Sequence, residues 1–111
     1  MRLVRGVAVT PEARISLRVK TVAKLLDLRP IRLSLRPGVE VGWPDLVVMG
    51  PNRGLLWVET KAPGKPLRPI QERRKVEILS FGHDYAKIDR AEDVKATLMT
   101  FAAYCKQRGA V

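Results

Sequence analysis

Asp45-Leu46-Val47-Val48-Met49 and Leu55-Leu56-Trp57-Val58-Glu59-Thr60-Lys61, joined by Gly50-Pro51-Asn52-Arg53-Gly54, decide the fold of this 111-residue chain. Two runs of β-branched and aromatic residues split by a Gly/Pro/Asn cluster predict a β-hairpin. Side chains alternate along a strand, so Glu59 and Lys61 share one face and Thr60 takes the other. The hairpin returns Glu59 to the neighbourhood of Asp45, at the end away from the turn. Two acids and a lysine are therefore expected at one edge of an otherwise apolar sheet. Close carboxylates in a partly dry site repel, and one must take a proton or find a cation. Oxygen donors of this kind suit a hard divalent ion, with the Thr60 carbonyl as a further ligand. The competing view is a hairpin end whose Glu and Lys simply face water.

Upstream, Thr10-Pro11-Glu12 reads as a helix start, with Thr10 as N-cap and Pro11 at the first helical position. Ile15, Val19, Val22, Ala23 and Leu26 follow on one stripe, and Arg29-Pro30 marks the expected end. Ile31 to Arg36 alternates as a half-exposed strand that turns at Pro37-Gly38. Downstream, Ala62 to Pro66 is a loop, and a helix starting near Pro69 runs from Ile70 to about Ser80. A short strand spans His83 to Ile88. Asp89 and Glu92 have the spacing of a capping box. The last helix then carries Val94, Leu98, Phe101, Ala102 and Cys105 on one face. The order α-β-β-β-α-β-α implies an α/β class, a mixed sheet flanked by helices in one domain over 1–111.

Lys and Arg number 21 against 11 acids, a formal net charge of +10. On a folded domain such an excess is the footprint of a polyanion binder, which points to nucleic acid. No apolar stretch approaches the ~18 residues of a membrane span, and no basic amphipathic tail suggests a membrane surface. With aromatic residues at 5%, platforms for stacking single RNA bases are scarce. The lone Cys105 excludes an internal disulfide, and no Cys/His cluster is present. The N-terminal residues lack the apolar core of a signal peptide, so a cytoplasmic setting is expected.

Gly42-Trp43-Pro44-Asp45-Leu46, Trp57-Val58-Glu59-Thr60-Lys61, the Pro-Gly loop and Gln71 together resemble the VRR-NUC domain of the PD-(D/E)xK nuclease superfamily. The resemblance runs from Glu12 to about Ala103. It implies a restriction-endonuclease-like fold, and it makes Asp45, Glu59 and the Thr60 carbonyl ligands of Mg²⁺ or Mn²⁺. By the same likeness Lys61 polarises the attacking water, Glu12 reaches the metal through water, and Gln71 positions Lys61 or the phosphate. Arg74, Lys75, Lys65 and Arg14 are expected to meet DNA. Small stand-alone members resembling this chain are virus- or prophage-encoded homodimers acting on branched DNA such as four-way junctions. No membrane and no small-molecule cofactor is implied. A non-catalytic basic DNA-binding module on the same scaffold is the alternative. His83, without a Cys or His partner, is expected to be structural, and Trp43 and Trp57 to belong to the core.

Overall fold

The computed structural model describes residues 3–4, 7–33 and 40–109. A short antiparallel pairing of β1 (Leu3–Val4) with β2 (Val7–Ala8) comes first. The main body follows as α1 (Pro11–Leu25), β3 (Arg29–Arg32), β4 (Leu46–Gly50), β5 (Gly54–Thr60), α2 (Pro69–Ser80), β6 (Asp84–Ile88) and α3 (Val94–Gly109). From α1 onward this is the expected α-β-β-β-α-β-α order. The four-stranded sheet runs β3-β4-β5-β6; β3, β4 and β5 are antiparallel neighbours, and β6 lies parallel to β5. The parallel pair requires a crossover, and α2 supplies it.

The hairpin closes where the sequence places it. Asn52 and Arg53 have φ of 56° and 66°, and the Gly54 N–H donates to the Pro51 carbonyl at 3.1 Å. Positive φ at both central residues matches the twist of the flanking strands. Asn52 tolerates that region, and its Nδ2 donates to the Cys105 carbonyl at 2.8 Å, which ties the turn to α3.

Thr10 caps α1 as expected, accepting from the Ala13 N–H at 3.1 Å. Three local boundaries differ from expectation. Helix α1 stops at Leu25 rather than at Arg29-Pro30, because Asp27 turns left-handed with φ 58° and the Leu28 N–H bonds back to Ala23. Arg29 and Pro30 are thereby freed to open β3, while 34–36 of the expected strand lie outside the described residues. Asp89 does not cap the last helix. Its carboxylate accepts from the Gly64 N–H at 3.1 Å, and the chain enters α3 through a 3₁₀ turn at Ala91–Asp93.

The sheet has two different faces. Leu46, Val48, Leu56 and Val58 pack against Ile15, Val19 and Val22 of α1 and Val94, Leu98, Phe101 and Cys105 of α3. That face is the dry core. The opposite face carries Trp57 and Glu59, and Gln71 and Ile78 are the residues α2 buries. Here Trp43 meets Trp57 in a tilted arrangement with ring centroids 5.5 Å apart, and Trp57 Nε1 donates to His83 Nδ1 at 3.0 Å. His83 is thus a hydrogen-bond acceptor for Trp57; Trp43 and Trp57 are half-buried on this face rather than part of the core.

Candidate active site

Strands β4 and β5 deliver the two carboxylates together. Leu46 pairs with Val58, so the register carried one residue further sets Asp45 across from Glu59. The approach to Asp45 is tight. Gly42 has φ 90°, and a Cβ there would lie 2.7 Å from Ile70 Cγ1, so the chain runs pressed against α2 into the buried Pro44. Asp45 Oδ2 accepts from both the Thr60 N–H at 3.2 Å and the Thr60 hydroxyl at 2.8 Å. Two donors on one oxygen fix that carboxylate without neutralising it.

Glu59 is only 3% exposed. Burial first, then the Asp45 carboxylate within hydrogen-bonding reach, push its carboxyl from an ordinary 4.5 up to about 8; Lys61 pulls it back only in part. Gln71 Nε2 donates to Glu59 Oε1, while Gln71 Oε1 accepts from the Arg68 N–H at 2.8 Å. A backbone N–H can only donate, so the Gln71 amide has one orientation and its NH₂ faces Glu59. The sequence suggests that Gln71 serves Lys61 or a phosphate; the structure has it holding Glu59. The second oxygen, Glu59 Oε2, is buried with no hydrogen-bond partner among the described residues.

That orphaned oxygen is the test of whether a cation fits. A buried, unsatisfied carboxylate oxygen beside a second carboxylate is costly, and a divalent cation held by Asp45 and Glu59 would offset that cost. Among the described residues no three His, Cys, Asp or Glu side chains gather as a metal-binding group, so the only carboxylates a cation here would have to hold it are those of Asp45 and Glu59. Such a sparse set suits Mg²⁺, which keeps several waters and binds through one or two carboxylates plus substrate phosphate.

Around the pair opens a cleft of about 830 Å³. Helix α1 contributes Thr10, Glu12, Ala13 and Ser16; the sheet contributes Arg32, Asp45, Glu59, Thr60 and Lys61; the loop and α2 contribute Lys65, Arg68 and Gln71. The structure therefore places Glu12, Asp45, Glu59, Thr60, Lys61, Lys65 and Gln71 around one cleft. Glu12 is exposed on the wall, apart from the buried pair. Three other expected contacts lie elsewhere. Arg74 sits over the Trp43 ring at 5.0 Å, donates to the Val41 carbonyl and pairs with Glu40 and Glu77 at 3.4 and 3.2 Å. Its charge is thus committed within the protein. Lys75 lies 5.7 Å from the Tyr85 ring centre, and Arg14 lines a separate hollow with Asp89 and Glu92.

Sequence reading misses three neighbours of the pair. Arg32 and Arg68 line the cleft, and nothing in their local pattern separates them from other surface arginines. Tyr85 pairs with Trp57 across β5 and β6, and burial, then the charge of Glu59, pushes its phenol upward, so it stays neutral.

The fold has known counterparts. A solved structure described as a "VRR_NUC domain" superposes with a TM-score of 0.72, covering 81% of this chain and 96% of that one at 24% sequence identity. The chain adopts the VRR-NUC fold. A second structure, a "VRR_NUC domain protein", covers 83% of this chain and 87% of its own length with a TM-score of 0.65 and 19% identity. In sequence the VRR-NUC-like chain is 35% identical over 57 residues to "Putative nuclease p44" of Acyrthosiphon pisum secondary endosymbiont phage 1. That match spans 51% of this chain and 60% of the phage protein. No protein-family model matches the sequence. Among the described residues no helix is long and apolar enough to cross a membrane.

Proposed function

We propose that this chain is a metal-dependent endonuclease that hydrolyses DNA phosphodiesters. The observation that carries the reading is the half-buried Asp45 beside the buried Glu59, whose Oε2 has no hydrogen-bond partner among the described residues. The VRR-NUC fold and the phage relative described as a nuclease add support.

Asp45, Glu59 and the Thr60 carbonyl would hold Mg²⁺ or Mn²⁺, which supplies charge neutralisation and an activated water at the phosphate. The remaining chemistry belongs to the chain. Thr60 holds Asp45 and Gln71 holds Glu59, so both carboxylates stay oriented between turnovers. Lys61, on the same strand face as Glu59, orients the attacking water and stabilises negative charge growing on the non-bridging oxygens. Glu12 acts through a water from the outer wall. The N-terminal turns of α1 and α2 both line the cleft, where helix dipoles favour phosphate. Lys65 meets the strand at the rim, with Lys75 and Arg14 as outlying contacts. The net charge of +10 provides affinity without sequence preference.

The finer reading is a branched substrate, such as a four-way junction, cut by a homodimer in the cytoplasm. Its supports are the VRR-NUC likeness and the apolar surface of α1, where Leu17 and Leu25 are 64% and 79% exposed. A two-fold dimer duplicates every site, which suits two opposed strands. The test is cleavage of labelled junction, flap and linear duplex DNA with Mg²⁺, Mn²⁺ or chelator, beside Asp45→Asn. Cutting should need metal and an intact Asp45, and should be fastest on junctions. Metal-independent cutting or an active Asp45→Asn overturns the site assignment. Equal turnover on all three substrates removes the branch preference.

A further inference from the structure

We infer that Arg32 and Arg68 grip the backbone phosphates on either side of the one being cut, so that a single strand crosses the cleft from the β3 edge to the start of α2. This rests on the nuclease reading of the Asp45–Glu59 site. Arg32 ends β3 and pairs with Leu46, one residue from Asp45; Arg68 precedes α2, three residues before the Gln71 that holds Glu59. Both line the cleft and both are exposed. In the sheet order the carboxylates stand on β4 and β5, between the β3 edge and the point where α2 touches Glu59. The two guanidinium groups therefore flank the metal-binding pair.

Their lack of internal partners is the second observation. Arg74 and Arg108 each pair with an acid, at 3.4 and 3.0 Å. Among the described residues Arg32 and Arg68 make no ion pair, although Glu12, Asp45 and Glu59 line the same cleft. Arg68 is also locally unfavourable. It occupies the N-cap of α2, where Ser, Thr, Asp or Asn would accept a backbone N–H and a positive charge opposes the helix dipole. An arginine at that cap whose side chain makes no ion pair among the described residues is well placed for a ligand. Guanidinium fits that ligand, because its planar fork binds phosphate oxygens in pairs. Lys61, nearer the pair, remains for the scissile phosphate.

The clamp predicts that hydrolysis depends on phosphates next to the scissile one. The experiment compares wild type with Arg32→Ala, Arg68→Ser and the double variant; Arg68→Ser installs a preferred N-cap, so α2 should fold at least as well. The first readout is the ratio of kcat/KM on an oligonucleotide to kcat/KM on a dinucleotide with a single internal phosphodiester. That ratio should fall about tenfold for each arginine removed, as for the loss of one charged hydrogen-bonded contact. The second is the salt dependence of DNA binding in chelator, whose log–log slope should become shallower by about 0.7–0.9 per arginine. Partial recovery in Arg32→Lys and Arg68→Lys would support phosphate contact. A double variant with the wild-type ratio and the wild-type slope overturns the clamp. If wild type cuts neither substrate, the nuclease reading fails and the slope alone decides whether the two arginines hold phosphate.

Discussion

The two faces of the sheet solve opposite problems with the same four strands. Against α1 and α3, Leu46, Val48, Leu56 and Val58 are buried among apolar side chains and need no directional partners. Against α2, polar groups are brought out of water and each requires a named bond: Trp57 to His83, Gln71 to Glu59, Arg74 to Val41 and Glu40. One face gives stability through area, the other gives geometry through hydrogen bonds. The difference teaches where to look for chemistry, because the unsatisfied atom, Glu59 Oε2, sits where the second arrangement is left incomplete.

The comparison breaks most sharply at Lys61. Lys61→Ala should lower cleavage about a thousandfold, the scale of losing one electrostatic stabiliser, while thermal unfolding barely moves. A mutant cutting at wild-type rate would remove Lys61 from the chemistry. The mirror experiment is Leu98→Ala in the dry core. It should cost about 2–5 kcal/mol in denaturant unfolding and leave metal affinity per folded molecule unchanged.

Glu59→Gln joins the two faces. It should abolish metal-dependent cutting yet raise the melting temperature of metal-free protein above about pH 8, where Glu59 would otherwise carry a buried charge. A lower melting temperature would show that the carboxylate is better satisfied than its surroundings suggest. The sign of the pH effect follows from the same residue. With the folded carboxyl raised to about 8 from an ordinary 4.5, the folded state holds a proton that the unfolded chain releases between those values. Metal-free protein should therefore lose stability as pH rises through that window and level off above it, and added Mg²⁺ should flatten the decline. Denaturant midpoints at several pH values, with and without metal, check both statements. The smallest effect belongs to Thr10→Ala, about 1 kcal/mol of stability through loss of the α1 cap.

What the sequence disclosed was local. The hairpin, its turn, the Thr10 cap and the last helix's apolar face follow from neighbours a few residues apart, and the Asp45–Glu59 pairing follows from counting back from the turn. The end of α1 was not legible, because nothing in Leu26-Asp27-Leu28 announces a left-handed Asp27. Gln71 belonged to the visible set, but its target depended on Arg68 fixing its amide. Arg74's protein partners were hidden for a similar reason: Val41 and Glu40 are more than thirty residues away and meet it only after folding. Arg68 was invisible since an arginine before a proline carries no signal until the cleft exists.

Pro30 has a consequence for how copies of this molecule can meet. It lies on the outermost strand, β3, where Leu33 N–H bonds inward to the Asp45 carbonyl, so by alternation the Pro30 nitrogen faces away from the sheet. With no hydrogen on that nitrogen, the border lacks a donor that an incoming strand would need. Fibre-like growth by adding strands at that border is thereby discouraged.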